Sequence, residues 1–215
     1  MGCPPRDGQP AESFRRGFVI RPLEPGDAVA VAVLHQAFLR SRLKGYTGRR
    51  LLACYYRSLS LAAGGGCGYV EVESGSRIAG FVCGVWNPAS VRQNLVRAMW
   101  GGLLLWGGLH VLLHPSGWGD LSRRLLPRHR QEFPLGGQAE YELRPIVVDE
   151  DFRGRGIAGQ LLLRLLEDAR SRGFKSIMLK TEVDNGRANA FYVKHGFVLE
   201  RTAAGYNQYR RFLEP

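Results

Sequence analysis

The 215-residue chain has few of the residues that stabilise small secreted or metal-dependent proteins. Its four cysteines, Cys3, Cys54, Cys67 and Cys83, form no Cys-x-x-Cys pair and stand in apolar or glycine-rich surroundings. This spacing argues against a disulfide framework or a zinc site and favours free thiols in a reducing compartment. We therefore expect a cytoplasmic protein that binds no metal.

Long apolar segments are also scarce. The most apolar stretch, Leu95–Leu113, is interrupted by Arg97 and His110 and contains four glycines. From Ala98 onward it spans 16 residues, fewer than the ~20 that a bilayer-spanning helix needs. We expect a buried or half-buried helix within an insertion at Asn87–Gln138. Two alternatives stay open: an apolar acceptor pocket, and a membrane-surface element flanked by arginines, which we do not favour.

Lysine is rare, although the chain is strongly basic. The formal net charge is +11, and four of the 30 cationic side chains are lysines, so the other 26 are arginines. The forked guanidinium fits phosphate and carboxylate, which favours an anionic partner such as a phosphorylated cofactor or an acidic substrate. No recognised nucleic-acid-binding motif accompanies the charge, so we expect no nucleic-acid partner.

The length is that of one α/β domain with an insertion. Residues 1–17 contain no charged region followed by an apolar one, so we expect a flexible leader rather than a secretion signal. Residues 18–215 are then predicted to form a single domain.

Hydrophobic periodicity predicts strands and helices in the order βααββ, insertion, βαβαββ. The strand–helix–strand unit after the insertion requires parallel strands, which indicates a mixed sheet of the α+β type. On its helix, Glu167, Asp168 and Arg170–Arg172 are predicted to form a solvated face. The predicted elements are strand Phe18–Arg21, a helix capped by Asp27 and ending near Arg40, helix Arg49–Leu61, a hairpin around Ser74–Ser76, strand Glu140–Val148, an amphipathic helix from Ile157 to Gly173, a strand from Ser176, a short helix between Asn185 and Gly196, and strands Phe197–Arg201 and Tyr206–Phe212.

Three glycines, Gly154, Gly156 and Gly159, have the Gly-x-Gly-x-x-Gly spacing of a dinucleotide-binding turn. Three observations argue against that interpretation: Asp149–Arg153 separates the glycines from their strand, two arginines lie inside the loop, and too few strands follow. No Gly-Lys-Ser/Thr follows either, which excludes a P-loop. A glycine-rich turn that opens a helix still offers unpaired N–H groups and a positive dipole end to a pyrophosphate.

Two segments resemble the conserved blocks of the GNAT superfamily of N-acetyltransferases. Arg153-Gly-Arg-Gly156-Ile-Ala158 is similar to its acyl-CoA signature, Gln/Arg-x-x-Gly-x-Gly/Ala. Asn185-Gly-Arg-Ala188-Asn-Ala-Phe-Tyr192, followed by Gly196-Phe197, resembles its second block. The resemblance implies an α/β fold with a mixed sheet of about seven strands, splayed between the fourth and fifth strands and flanked by about four helices. The helical apolar insertion has no counterpart in the minimal fold.

The resemblance also implies acetyl-CoA as acyl donor, held in the gap between the splayed strands. Its pyrophosphate is expected on the arginine-glycine loop and its pantetheine along the fourth strand. Pro145 suits such a place, because a strand proline belongs at a bulge or where pairing is interrupted. The implied cofactor-binding residues are Ile146, Val147, Val148, Arg153, Gly154, Arg155, Gly156, Ile157, Ala158, Asn185, Ala188 and Tyr192.

Acyl transfer to an amine requires a base, an oxyanion donor and an acid for the leaving thiolate. Tyr192 corresponds to the tyrosine that approaches the CoA sulfur in the family, so it is the candidate acid. Glu142, and after it Glu140, are candidate bases, because both alternate on one face of the fourth strand. An ion pair between Glu142 and Arg144 is an equally acceptable role for that carboxylate.

The resulting hypothesis is an N-acetyltransferase that moves the acetyl group of acetyl-CoA to a primary amine of a small molecule by direct attack in a ternary complex. An amino sugar, free or nucleotide-linked, suits the excess of arginine. The alternatives are acetylation of a protein N-terminus or lysine, and a non-catalytic CoA-binding or membrane-surface module. A homodimer is left open.

Overall fold

The computed structural model describes residues 17–39, 43–60, 65–73, 77–97 and 140–213. The predicted leader up to residue 16 and the predicted insertion beyond residue 97 lie outside the described residues.

The described elements follow the predicted order. The first half contains β1 (Phe18–Pro22), α1 (Ala28–Phe38), α2 (Gly45–Ser60), β2 (Gly66–Glu73) and β3 (Ile78–Val85), and residues 88–97 are also helical. The second half contains β4 (Tyr141–Val148), α3 (Ile157–Ser171), β5 (Ser176–Glu182), α4 (Gly186–Lys194), β6 (Val198–Ala203) and β7 (Tyr206–Phe212). Single 3-10 turns precede α1 (Pro25–Asp27) and follow β4 (Glu150–Phe152).

Asp27 occupies the N-cap position of α1 but does not cap that helix with its side chain. Its carboxylate instead accepts two hydrogen bonds from Arg21, at 2.6 and 2.8 Å, and one from the amide of Glu24 at 2.9 Å. The predicted side-chain cap is therefore wrong, because Arg21 of β1 binds the same carboxylate oxygens. The predicted start of the helix is correct.

The seven strands form one mixed sheet in the order β1-β2-β3-β4-β5-β7-β6. The β4–β5 pair is parallel and the other five neighbouring pairs are antiparallel. Strand β4 pairs with β5 only at Tyr141 and Glu142, and beyond that point the two strands diverge. The predicted splay between the fourth and fifth strands is confirmed.

Pro145 lies at an irregularity on the other edge of β4. Val82 pairs with Ile146 and Gly84 pairs with Leu143, so Cys83 of β3 faces the two residues Arg144 and Pro145. Two residues opposite one make a β-bulge, and a proline without an N–H fits there at no cost in ladder hydrogen bonds. The expected bulge is confirmed, and it follows directly on the place where β5 separates.

Helices cover both faces of the sheet. Strands β2–β4 bury one face under α1 and α2, where Val31, Leu52, Tyr56 and Phe81 meet. The opposite face packs against α3, whose leucines at 161, 162, 165 and 166 are fully buried. These leucines recur at the i, i+4 spacing of an amphipathic helix, which is why the sequence pattern identified α3 correctly.

The predicted solvated face of α3 is wrong at Asp168, which is 7% exposed. Its carboxylate accepts hydrogen bonds from the hydroxyls of Tyr69 and Tyr141, both at 2.9 Å, and from Arg172 at 2.7 and 3.0 Å. The thiol of Cys67 lies 3.4 Å away. Burial raises the pKa of Asp168, but the hydrogen bonds from Arg172, Tyr141 and Tyr69 outweigh it, so the net shift is downward.

This buried cluster fixes α3 to strands β2 and β4. Trp86 stacks on the Tyr141 ring at 5.4 Å, and the Arg172 guanidinium lies over Trp86 at 4.2 Å. Gly84 makes room for the tyrosine, since a Cβ there would lie 2.5 Å from the Tyr141 hydroxyl. Tyrosine hydroxyls and a guanidinium satisfy the carboxylate, which is the condition for burying one.

We predict that Asp168→Asn lowers the free energy of unfolding by about 2 kcal/mol, because it leaves the Arg172 charge unpaired beside an amide. The lowered pKa means that the carboxylate stabilises the fold above its unfolded pKa of about 3.9 and ceases to do so as pH falls through the lower folded value. Urea unfolding should therefore show a difference from wild type that is full at pH 7 and shrinks below about pH 4.

Glu167→Gln on the same helix is the matched control. Its carboxylate is 60% exposed and pairs with Arg164 at 3.3 Å, so we expect a change within about 0.5 kcal/mol. Equal effects of the two substitutions would show that the buried cluster contributes nothing to the free energy of unfolding.

Candidate functional site

The divergence of β4 and β5 opens a cavity of about 1070 Å³. We call it the splay cavity. Its walls come from the end of α1, from β4 and β5, from the start of α4 and from the β6–β7 pair. Of the predicted site residues, those that line it are Glu142, Ile146, Asn185, Ala188 and Tyr192.

A second cavity of about 430 Å³, here the loop cavity, lies against the turn between β4 and α3. Its predicted lining residues are Val148, Arg153, Gly154, Gly156, Ile157 and Ala158. Arg187 lines both cavities, so the two spaces adjoin at the start of α4. The predicted acyl-CoA residues thus line the two adjoining cavities, apart from Val147, which is buried, and Arg155.

The turn into α3 has the backbone geometry of an anion site. Gly154 and Gly156 both have φ of +78°, a left-handed conformation that side-chain-bearing residues adopt only under strain. The first backbone hydrogen bond of the helix joins the amide of Gln160 to the carbonyl of Gly156 at 3.2 Å. The amides of Ile157, Ala158 and Gly159 precede it, so the helix leaves them without an internal acceptor. Amides and helix dipole together favour a phosphate here.

Two arginines flank these amides. The Arg153 side chain donates to the carbonyl of Val148 at 3.3 Å, and its guanidinium lies 4.8 Å from the centre of the Phe38 ring. Arg155 donates to the carbonyl of Asp151 at 3.3 Å and stands over Phe152 at 5.3 Å. These neutral partners leave both positive charges uncompensated by any carboxylate in the described part of the chain.

Arg77 supports the loop from the β2–β3 hairpin, and no sequence motif pointed to this residue. It makes ion pairs with Asp149 at 2.8 Å and Asp151 at 2.6 Å, and its guanidinium lies over Phe152 at 4.8 Å. The Asp149 side chain also accepts from the amide of Asp151. Asp149 and Asp151 are therefore paired with Arg77, and neither Arg153 nor Arg155 makes an ion pair with a described residue.

Tyr192 lies at the inner wall of the splay cavity and is 7% exposed. Its ring packs edge-on against Phe191 and Phe197. Burial raises the pKa of Tyr192, so the phenol stays protonated at physiological pH. No described residue makes a hydrogen bond to its hydroxyl. The side chain therefore presents a neutral phenol at the cavity wall.

The two candidate bases occupy different environments. Glu142 faces the splay cavity and makes an ion pair with Arg144 at 2.8 Å, as the structural alternative predicted. Glu140 makes an ion pair with Arg210 at 3.0 Å and is absent from the lining of both cavities. Arg210 in turn contacts Glu200. Only Glu142 of the two is placed to meet an acceptor.

Asn185 caps α4 with its side chain, which accepts from the amide of Ala188 at 3.2 Å. It lines the splay cavity at the same time, so the structural and the ligand-binding interpretations are compatible. Gly196 ends the helix with a φ of +77°, as its sequence position predicts.

The cavity also contains residues that sequence reasoning missed. Arg187 stands inside the second motif and could have been selected from its position there. His35, near the end of α1, had no sequence signal, because the helix that carries it is more than 100 residues from β4. Its Nδ1 lies 2.7 Å from the Tyr56 hydroxyl, and burial lowers the pKa of the imidazole.

A splayed mixed sheet with an anion-binding turn at the end of its fourth strand defines a class of acyl-CoA-dependent transferases. Residues 32–197 match the model of the acetyltransferase (GNAT) family. The chain belongs to this family, and the predicted family membership is confirmed.

Relatives of the chain are similar to it over part of its length. N-alpha-acetyltransferase 30 of Schizosaccharomyces pombe is 40% identical over 68 residues, which are 32% of this chain and 45% of that protein. Mycothiol acetyltransferase of Saccharomonospora viridis is 37% identical over 74 residues, which are 34% of this chain and 24% of that protein. The chain thus matches less than half the length of these relatives.

Solved structures agree in fold. The paia N-acetyltransferase from Thermoplasma acidophilum, in complex with coenzyme A, superposes with a TM-score of 0.57 at 13% identity, over 91% of this chain and 98% of that one. At this identity the likeness supports the fold alone.

Within the residues that the structure describes, none of the helices is both long enough and apolar enough to span a bilayer. The apolar residues 98–113 lie outside that part of the chain. The described cysteines, Cys54, Cys67 and Cys83, are free thiols.

We predict that replacing Arg153 and Arg155 together with alanine raises the KM for acetyl-CoA roughly tenfold to a hundredfold and leaves kcat within about threefold. Both guanidiniums are exposed, so each lost contact to a phosphate costs about 1 kcal/mol, and two lost contacts correspond to roughly a thirtyfold change in KM. Steady-state kinetics at saturating acceptor measures both constants. Arg170→Ala, an exposed arginine at the far end of the same helix, controls for net charge. An unchanged KM in the double variant would contradict the assignment of this loop to the pyrophosphate.

Proposed function

We propose that the protein is an N-acetyltransferase that transfers the acetyl group of acetyl-CoA to the primary amine of a small molecule. The observation that carries the proposal is the arrangement of the two adjoining cavities, with an anion-binding turn at one end and the buried Tyr192 hydroxyl at the other. Family membership supplies the reaction class.

The residues present suit the pyrophosphate, the pantetheine arm and the thioester of acetyl-CoA. The turn at Gly154–Gly156, with Arg153 and Arg155, would hold the pyrophosphate. The edge of β4 that β5 leaves unpaired beyond Glu142 would hold the amide-bearing pantetheine arm by backbone hydrogen bonds. When bound, acetyl-CoA supplies an activated thioester carbonyl to the splay cavity.

Tyr192 would protonate the departing thiolate. A phenol held neutral by burial is a proton donor, and the absence of a described hydrogen-bond partner leaves that proton available. The surrounding rings of Phe191 and Phe197 restrict the side chain to one orientation, which serves proton transfer over a short, fixed distance.

The cavity wall carries both signs of charge, which favours an acceptor that has an ammonium and an anionic or carbonyl group. Glu142 would attract the ammonium. On the other side, Nε of Arg144 is buried and has no hydrogen-bond partner among the described residues, so an acceptor oxygen would satisfy it. An amino sugar or a nucleotide-linked amino sugar has both groups, as does a free amino acid.

A second candidate is the amine of a peptide N-terminus. The size of the splay cavity, about 1070 Å³, and the 40% identity over 68 residues to N-alpha-acetyltransferase 30 favour it. The first peptide carbonyl could take the place of the anionic group at Arg144.

Calorimetry with acetyl-CoA, followed by a thiol-release assay over amino sugars, amino acids, polyamines and short peptides, tests the proposal. We expect acetyl-CoA to bind and thiol release to depend on one acceptor class. Release with peptides alone would replace the small-molecule acceptor by the second candidate. Binding without release over the whole panel would contradict a transferase acting on these amines.

We predict that Tyr192→Phe lowers kcat about a hundredfold and leaves the Kd for CoA within about twofold. The hydroxyl is the only group removed, and general acid catalysis contributes about 10²–10⁴-fold to a rate. Tyr46→Phe, at a tyrosine 72% exposed on α2, is the matched control and should keep full activity. Unchanged turnover in Tyr192→Phe would exclude Tyr192 as the acid.

A further inference from the structure

The α1 side of the splay cavity carries a titratable group that the proposed reaction has not yet used. His35, Phe38 and Leu39 line the cavity opposite the β5 side, together with Glu142 and Arg144 of β4. His35 is the only histidine among the described residues lining this cavity.

One hydrogen bond fixes the imidazole. Nδ1 of His35 lies 2.7 Å from the hydroxyl oxygen of Tyr56, and the two rings meet edge-on at 5.9 Å. Tyr56 itself is fully buried, packed against Tyr55 and Phe81. The base role uses the tautomer in which Nδ1–H donates to the Tyr56 oxygen, because only in that tautomer does Nε2 carry a lone pair that can accept a proton. The buried tyrosine keeps the ring in one orientation.

The titratable groups around His35 come from three elements. Tyr56 of α2 contacts the imidazole, Tyr55 of α2 and Cys83 of β3 lie beside Tyr56, and Glu142 and Arg144 of β4 line the same cavity. Burial raises the pKa of Tyr55 to about 12 and that of Tyr56 and Cys83 well above their usual values, so these three groups stay neutral. Glu142 and Arg144 form an ion pair with each other.

Burial lowers the pKa of His35, so the ring is neutral near pH 7. Glu142 is already engaged in its ion pair with Arg144, whereas Nε2 of His35 has no partner among the described residues. This difference favours the histidine over Glu142 as proton acceptor.

We propose that His35 is the general base that deprotonates the acceptor ammonium, with Tyr56 as the residue that positions it. This inference rests on the proposed acetyltransferase function. Glu142 then attracts the ammonium, and the proton moves to Nε2 of His35.

The proton balance is complete with groups on the chain. The ammonium gives one proton to Nε2, and the imidazolium later releases it to solvent. The neutral amine forms the C–N bond to the acetyl carbon, the C–S bond breaks, and the thiolate takes a proton from Tyr192. The second proton of the former ammonium replaces the one that Tyr192 gave. The net products are the N-acetyl amine, CoA thiol and one released proton.

His35→Gln tests the inference in the full-length protein, with acetyl-CoA and an acceptor that the thiol-release panel has identified. We expect kcat/KM for the acceptor to fall about a hundredfold at pH 7, with the Kd for acetyl-CoA within twofold of wild type. We also expect a change of pH profile. In the wild type, kcat/KM should reach a plateau above the pKa of His35, which lies below about 6.5. In the variant, kcat/KM should rise about tenfold per pH unit up to the pKa of the acceptor amine, because the variant uses only the free amine.

A histidine with a merely structural role would not produce that change of profile. Added imidazole should restore part of the activity of His35→Ala. Tyr56→Phe should shift the acid limb of the pH profile of kcat/KM, which is its fall at low pH, and leave acetyl-CoA binding unchanged. Val33→Gln, on the exposed face of the same helix, is the control substitution and should behave as wild type.

The outcomes separate the two proposals. Thiol release by the wild type with an unchanged rate and profile in His35→Gln would overturn the role of His35 and leave the enzyme function in place. An acid limb that disappears in Glu142→Gln but persists in His35→Gln would assign the base to Glu142. A wild type that binds acetyl-CoA but releases no thiol with any amine would remove the enzyme function, and the base with it.

Discussion

The two-residue pairing of β4 with β5 is the constraint on which the rest of the molecule depends. A parallel ladder along the full strands would close the splay cavity and satisfy the β4 edge internally. The bulge opposite Cys83, with Pro145 in it, bends β4 at the point where β5 leaves. The gap therefore results from backbone geometry, and it provides both the unpaired strand edge and the splay cavity.

Helix α3 connects stability to this site. One end carries the anion-binding turn, and the other carries Asp168, which is held by two tyrosines and Arg172 from three parts of the chain. At 15 residues the helix is about 22 Å long, so a carboxylate buried at its C-terminal end fixes the direction in which its N-terminal amides point. Tyr141 belongs to the same cluster and is also one of the two residues that pair β4 with β5, so the cluster holds the splay in position.

Local pattern was sufficient for the order of the elements and for the two motifs. The alternating residues of the hairpin, the leucine spacing of α3 and the glycines at 154, 156 and 196 all act within one turn or one strand, where sequence neighbours are also spatial neighbours. The prediction failed at Asp168 and at the carboxylate of Asp27. In both places a carboxylate pairs with arginine or tyrosine side chains, and hydrophobic periodicity carries no information about such pairs. At Asp168, two of the partners, Tyr141 and Tyr69, lie on strands 27 and 99 residues away in the chain.

The sequence by itself determined the family, the glycine-rich turn into α3, an irregularity of the strand at Pro145 and the position of Tyr192 on its short helix, because each depends on residue type at short spacing. Only the tertiary structure decided which charges remain available. It paired Arg77 with the acidic residues beside the loop, tied Glu140 to Arg210 and Glu142 to Arg144, and brought His35 of α1 to a cavity formed mainly by β4, β5 and α4. The physical reason is that a side chain's chemistry depends on its burial and its partners, and both are set by packing between segments far apart in the chain.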